Sequence, residues 1–548
     1  MTGTAFTQAF DRTFDYIILG AGSAGCVLAN RLSTDPDIGV CLIEAGPLDR
    51  SWLIRTPAAV GALMNHKVYG WGYQTTPQRH LHQRRINLPR GRVLGGCSSV
   101  NGMVYFRGHP ADFDEWAAAG NPGWSYREVL PYFIRSEHNE VWRHSAYHGT
   151  NGPMTVADVD RLNPLCADFV NAAQSLQYSR CADFNAADPE GFGPRQATIR
   201  RGRRESMVTA YLLPIRHRRN LTVITDTLVD RIVFEQRRAT GVEVLHNGVR
   251  TRIAARHEIV LSAGAYGSPS ILMRSGIGDA KTLRELQIPI AHDLPAVGRH
   301  LQEHLVAPVQ MKTSGPESYG LSLRALPRDL WNVLEYLVAK RGPLASNVFE
   351  ATGFVRSDPS VERPDVQIIF MPAHRNPSGF PIPFGHGYGI LSVLLRPQSR
   401  GHVTIESADP HVAPLIDPNF LSESADLGVL LRGLKRARQI LSASPFDKYR
   451  STEIVPGTSV TDDAALHEHI RRSAVTVHHP TSTCRMGNAD DCVVDSELHV
   501  RGVEALRIAD ASVFPNVISG NINAAVVMIA EKAADMIQCK PAPAAIEI

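Results

Sequence analysis

The chain has 548 residues, 43% hydrophobic and 20% charged, with 57 Lys and Arg against 54 Asp and Glu. That length exceeds what one hydrophobic core usually serves, so two connected lobes are expected, and the composition excludes a disordered or fibrous protein. A net charge of +3 gives no electrostatic reason to expect nucleic acid or an anionic membrane as partner.

In chain order, the opening "MTGTAFTQAFDRTFD" lacks the charged start and apolar core of a secretory signal. No apolar run approaches the roughly 18 residues of a membrane span. Eight scattered cysteines without a CxxC pair imply reduced thiols in a cytoplasmic protein with no metal site.

The stretch "DYIILGAGSAGCVLANRL" (Asp15 to Leu32) predicts strand, turn and helix: an apolar run, then Gly20, Gly22 and Gly25, then Val27, Leu28 and Leu32 at helical spacing. Glycines there permit the tight turn, approach to a pyrophosphate and close helix packing, while the helix N-terminus offers N–H groups to phosphate. Ser23 and Ala24 lie between the glycines. A second strand, "GVCLIEAG", delivers Glu44, followed by Ala45, at the spacing where a carboxylate accepts ribose hydroxyls. A 2′-phosphate would be repelled, so NADP is disfavoured, while FAD and NAD both remain open.

Next, "GRVLGGCSSVNGMVYFRG" (Gly91 to Gly108) concentrates glycines and small residues, as expected of backbone pressed against a flat ligand. Two basic clusters, Arg200, Arg201, Arg203, Arg204 and Arg216, His217, Arg218, Arg219, read as solvated faces. "LTVITDTLVDRIVFE" (Leu221 to Glu235) reads as paired strands, and "HEIVLSAG" as a strand feeding "GAYGSPSILMRSGIG". "HVTIES" (His402 to Ser407) alternates as a strand does. Near the end come "HHPTSTCRMG" (His478 to Gly487), "ALRIADASVFP" (Ala505 to Pro515), the helix-forming "SGNINAAVVMIAEKAADMI" (Ser519 to Ile537) and the tail "PAPAAIEI", expected to be disordered.

These motifs, in this order from Asp15 to Ile537, resemble those of the glucose-methanol-choline (GMC) oxidoreductase family, flavoenzymes that oxidise alcohols and include choline dehydrogenase-like members. The resemblance implies FAD. It also implies a mixed α/β fold: a Rossmann-like FAD-binding lobe from residues 11–160, 220–310 and 470–540, and a substrate lobe, with a large antiparallel or mixed sheet and helices, from 161–219 and 311–469. Residues 541–548 form the tail.

Alcohol oxidation requires removal of the hydroxyl proton and delivery of the carbinol hydrogen to flavin N5 as a hydride, so the protein must supply position and a base, for which histidine is suited. Two adjacent histidines, His478 and His479, offer themselves. By resemblance the base is His479, immediately before the proline, and His478 and Val477 become pocket-lining residues. Asn521 matches the family's second polar position. It cannot be a base, so it should orient the alcohol and stabilise the developing alkoxide. The helix after it would direct its dipole at the flavin. The resemblance further places Val93, Gly96, Ser99, Asn101, Gly102, Met103 and Val104 against the flavin, Val229 near the adenine, and Ala263, Gly264, Asp510, Ala511 and Ile522 along the rest of the cofactor. Val100 occupies the position where some members carry a flavin-linking histidine, so binding should be non-covalent. Two departures stand out: Glu303 where aspartate is usual, and Ser482 where glycine is usual.

Glu350, in "GPLASNVFEATGFVR", is a candidate partner for a quaternary ammonium, or simply a structural acid. Other primary alcohols are therefore expected ahead of choline, with oxygen or another electron acceptor and an unspecified oligomeric state. Two alternatives compete. One is a lyase or light-driven decarboxylase on the same flavin fold, and the other is an inactive nucleotide-binding protein, which the intact His479 and Asn521 disfavour.

Overall fold

The computed structural model describes residues 13–313, 315–374 and 383–548. The N-terminal segment read above for a signal, residues 1–12, lies outside them. The first unit is β1 (Thr13–Leu19), α1 (Ser23–Leu32) and β2 (Val40–Ile43). Both strands are apolar and almost wholly buried, as expected of parallel strands covered on both faces.

β1 pairs in parallel with β2 on one side and with the strand Val249–Leu261 on the other. The full order is Leu221–Ile224, β2, β1, Val249–Leu261, Arg238–His246, Thr227–Glu235, with Leu506–Ile508 added in parallel beside Ile259–Leu261. The two strands of Leu221 to Glu235 are therefore not partners, contrary to the sequence reading. They lie at opposite edges of one sheet, because Leu221–Ile224 runs parallel to β2 while Thr227–Glu235 returns antiparallel to Arg238–His246.

A second sheet, antiparallel throughout, runs Arg450–Val455, Leu305–Thr313, His386–Leu394, Val366–Met371, Ala351–Val355, Gly191–Pro194, with Val475–Thr476 pairing beside Leu305 and Val306. Helix Ser424–Leu441 packs on it. The strand Leu305–Thr313 crosses the expected boundary at 310.

α1 is buried around nearly its whole circumference, because the closing helix Asn523–Ile537 covers the side that the sheet leaves free. Glu531 on that helix is fully buried, with Arg31 at 2.7 Å, Arg135 at 2.9 Å and the Tyr211 hydroxyl at 2.8 Å neutralising and satisfying it. In the tail, the Ile546 N–H donates to the Arg127 carbonyl at 2.9 Å. No helix among the described residues is long and apolar enough to cross a membrane.

Candidate active site

The C-terminal ends of β1, β2 and Val249–Leu261 converge on a cavity of about 590 Å³, within the roughly 300–1,000 Å³ range of ligand sites. Gly20, Gly22, Ser23, Ala24, Glu44 and Ala45 line this end of it, with Val229. Gly25 does not. A Cβ there would stand 2.0 Å from the Gly20 carbonyl oxygen, so its requirement is close helix–strand contact. No side chain caps the N-terminus of α1, which leaves its first-turn N–H groups for an anion.

Glu44 is buried, and its carboxylate accepts from the N–H groups of Ala21 at 3.0 Å and Gly46 at 2.9 Å. Each oxygen retains lone-pair capacity for a hydroxyl donor. Burial raises its pKa to about 7, against those two N–H groups.

Farther along, Gly96, Val100, Asn101, Gly102, Met103 and Val104 line the cavity, while Val93 and Ser99 stand behind it. Gly96 has φ +51°, and a Cβ on it would come within 2.7 Å of the Gly22 Cα, so this loop presses directly on the first glycine turn. Arg204 holds the loop from beneath. Its guanidinium donates to the carbonyls of Ile54 at 2.8 Å, Ser98 at 3.3 Å and Asn101 at 2.6 Å, and to Asn101 Oδ1 at 2.9 Å. The solvated reading of its cluster therefore fails for Arg204, which is buried, and burial lowers its pKa to about 9.

Ala263 and Gly264, after the third strand, share the lining with Asp510 and Ala511. Asp510 accepts from the Gly264 N–H at 2.8 Å and the Ser268 hydroxyl at 2.6 Å, tying the middle of the chain to its end. Asn521, Ile522 and Asn523, at the start of the closing helix, complete that wall. FAD fits this set of groups: an uncapped helix N-terminus for diphosphate, a carboxylate for ribose and a glycine-lined slot for a flat ring.

His479, His478 and Val477 also line the cavity, opposite Val306, Phe349, Ile369, Met371 and Leu391. His304 is buried, and its Nε2 contacts the Leu395 carbonyl at 2.9 Å, an atom that only accepts, so Nε2 carries the proton. Burial lowers its pKa to about 4, so His304 is neutral and its Nδ1 is an acceptor. That Nδ1 lies 3.0 Å from His479 Nδ1, which must therefore be the protonated nitrogen of His479. His479 Nε2 is left with its lone pair, and Asn521 Nδ2 donates to it at 2.9 Å. Burial first, then His304 and Arg90, hold the His479 imidazole well below its ordinary pKa. His478 is lowered to about 3 by burial and by Arg90, whose guanidinium grips the His478 carbonyl.

Glu303 braces the pair from behind, its carboxylate accepting the backbone N–H groups of both His479 and His304. Asn521 Oδ1 and His478 Nδ1 are buried without a partner among the described residues, as befits atoms that receive one from a ligand. Ser482, at the position where the resemblance leads one to expect glycine, has φ +75°, a conformation glycine adopts at lower cost.

Glu350 is not on the lining. Its carboxylate accepts from the Ser346 and Tyr319 hydroxyls and the Asn163 N–H, with Cys166 Sγ alongside, so its acceptor capacity is spent within the protein. Sequence reasoning also missed Arg195, whose buried guanidinium lines the cavity near Glu350, its terminal nitrogens without a hydrogen-bond partner among the described residues. One arginine in "GPRQAT" carries no signal of that position. His304 had one: it follows the flagged Glu303 directly.

GMC oxidoreductase family models match residues 14–306 and 397–530. The chain is 43% identical over 526 residues to an alcohol dehydrogenase [acceptor] of Pseudomonas putida, covering 96% of this chain and 95% of that one. It is 41% identical over 531 residues to an oxygen-dependent choline dehydrogenase of Photobacterium profundum, covering 96% and 93%. Among solved structures, pyridoxine 4-oxidase from Mesorbium loti superposes with a TM-score of 0.87 at 33% identity, covering 96% of this chain and all of that one. An Aspergillus oryzae formate oxidase variant gives 0.90 at 27%, covering 96% and 98%. With its two family segments, its cavity at the strand ends and its paired histidine and asparagine, the chain belongs to the GMC oxidoreductase family.

Proposed function

We propose that this protein oxidises a primary alcohol to the aldehyde with FAD as cofactor, His479 taking the hydroxyl proton. The observation that carries the proposal is the buried chain from the Leu395 carbonyl through His304 to His479 and Asn521, at 2.9, 3.0 and 2.9 Å, which sets His479 Nε2 at the cavity wall beside an amide that an alcohol oxygen would engage. Bound FAD supplies the acceptor for the carbinol hydrogen. The remaining work falls to the chain's own side chains. Asn521 orients the alcohol oxygen, His479 receives its proton and is held in register by His304 and Glu303, and the apolar wall excludes water. Gly20, Gly22, Ser23, Ala24, Glu44 and Ala45 would hold the adenosine and diphosphate. The segments around Val93 to Val104, Ala263, Gly264, Asp510, Ala511 and Ile522 would hold or back the rest. The start of the closing helix borders the same cavity and would favour negative charge on the cofactor.

Supporting non-covalent binding, Val100 offers no nucleophile. The discontinuous lobes expected above are consistent with one sheet drawn from Thr13–Ile43, Leu221–Leu261 and Leu506–Ile508. A cytoplasmic location agrees with eight free thiols. As for substrate, the spent carboxylate of Glu350 argues against a quaternary ammonium and for an uncharged primary alcohol. The relatives named above are dehydrogenases and oxidases, and nothing in the site favours the lyase or decarboxylase alternative. The test is anaerobic flavin spectroscopy of the purified protein with a panel of primary alcohols, choline included. Bleaching by uncharged alcohols is expected, and recovery on admitting air distinguishes oxygen from another acceptor. A flavin that no alcohol bleaches would overturn the reading.

A further inference from the structure

The helix Leu326–Ala339 is amphipathic the wrong way round for a protein surface. At about 100° per residue, every side chain on an arc of roughly 160°, from Val333 round to Trp331, is apolar. That arc faces outward: Leu330 is 62% exposed, Trp331 63%, Leu337 64% and Val338 79%. The polar side is turned toward the protein instead: Asp329, Asn332 and Glu335 are half-buried, Glu335 pairs with Arg161 at 2.9 Å and Tyr336 is buried. The apolar surface continues beyond the helix start, since Leu321 bridges to Phe384, which is 72% exposed. Isolated exposed leucines are ordinary; a whole helical face with neighbouring apolar loops is the kind of patch that marks an interaction site.

Charge identifies the partner. Cations ring this face at both ends. Before the first turn stands exposed Arg324, with Arg328 beside it. At the last turn stand Lys340 and Arg341, and there a second element joins them: the hairpin of Ile199 to Arg204 packs so closely that a Cβ on Gly202 would meet the Lys340 carbonyl oxygen at 1.8 Å. That hairpin carries Arg200, Arg201 and Arg203, all exposed. Asp329 offsets Arg328, Asp160 offsets Arg341 and buried Glu205 lies 4.0 Å from Arg200, which leaves Arg324, Lys340, Arg201 and Arg203 as the cationic surplus. Trp331 sits at the margin of the apolar arc, the position at which an indole lies at headgroup depth.

The geometry points to a bilayer surface with anionic headgroups as the occupant of this face: the helix lies in the interface with its apolar arc among the acyl chains and the two cationic ends on the phosphates. This is surface attachment, with no spanning segment. It revises the reading of the Arg200 cluster as merely solvated, and it was invisible in the net charge of +3 because a local surplus of cations does not show in a whole-chain sum. The helix is also near the active site in the chain: Val348 and Phe349, a few residues beyond Arg341, line the cavity.

The test is flotation of the purified flavin-loaded protein with two vesicle types, phosphatidylcholine alone and phosphatidylcholine with an equal part of phosphatidylglycerol. Flotation with the mixed vesicles and markedly less with phosphatidylcholine alone is expected. The double variant Leu330→Asp/Leu337→Asp should lower the bound fraction at least about tenfold. Its flavin spectrum, melting temperature and rate with a soluble dye acceptor should be unchanged, which separates lost attachment from misfolding. The variant Arg201→Glu/Arg203→Glu should remove the preference for phosphatidylglycerol. Wild-type protein that floats with neither vesicle overturns the proposal, as does a Leu330→Asp/Leu337→Asp variant that floats equally well. Light scattering that shows an oligomer dissociated by that variant, with no vesicle binding, assigns the face to a second copy and equally overturns it.

Discussion

The fitness of His479 for its proposed role as base comes from neighbours that sequence spacing does not bring to it. Replacing it with alanine should lower kcat by about 10²- to 10⁴-fold while the bound flavin is retained, measured by turnover against flavin content. Because burial and the nearby Arg90 cation depress its pKa, the neutral form persists below the ordinary histidine value of about 6.5. The rate should therefore rise with pH only in the acid range and run level from about pH 6.5 upward, whereas a rising limb centred above that value would contradict the assignment. His304→Ala removes the acceptor that fixes the tautomer. It should lower kcat about fivefold, alter that pH profile and change KM little, since one charge-neutral hydrogen bond of about 1 kcal/mol is involved and no substrate contact. Ser482 offers a test of backbone strain. Glycine and alanine there both lose the hydroxyl bonds to Thr481 and Gln302, but only glycine relieves φ +75°, so Ser482→Gly should be more stable than Ser482→Ala by about 1 kcal/mol, read as a higher melting temperature. At this scale the motif residues His479 and Asn521 were legible, because a loop sequence fixes them. His304 was not, because its partner lies 175 residues away. Glu350 stayed open between an ammonium partner and a structural acid, because a sequence shows a carboxylate but not which of its lone pairs are already taken.

Among the elements, the first glycine turn and the closing helix could be read directly, since periodicity and glycine placement are local properties. Pairing is not local. Leu221 to Glu235 contains two good strands, yet their partners are chosen by the parallel register of β2 and by the return of Arg238–His246. The same limit applies to Arg204. In a run of four arginines nothing distinguishes the one that turns inward to hold the loop of Ser98 to Asn101. Arg204→Met should leave three buried carbonyls short of a donor, at a cost of about 1–3 kcal/mol, and should loosen the loop that presses on Gly22. The expected result is weaker flavin retention on gel filtration and activity that excess FAD restores.

For the molecule as a whole, the family motifs predicted a mixed α/β fold with a large second sheet, and the structure has both. The strand order of that second sheet was not readable, since its strands carry no motif and are drawn from Gly191 to Thr476. Non-covalent attachment predicts that acid precipitation leaves free FAD in the supernatant, whereas colour held in the pellet would indicate a covalent link and contradict the role given to Val100. One feature of the first sheet matters for how the protein is made. Its strands come from distant parts of the sequence, and Leu506–Ile508, Asp510 and Asn521 are made long after the first glycine turn. Until they emerge, the edge of Ile259–Leu261 stands open and His479 has no asparagine beside it. A nascent or prematurely terminated chain therefore lacks one wall of its cofactor pocket and half of its proton-handling pair together. Loading with flavin waits on the segment that carries Leu506 to Asn521, and a polypeptide that stops short of it holds no complete cofactor pocket.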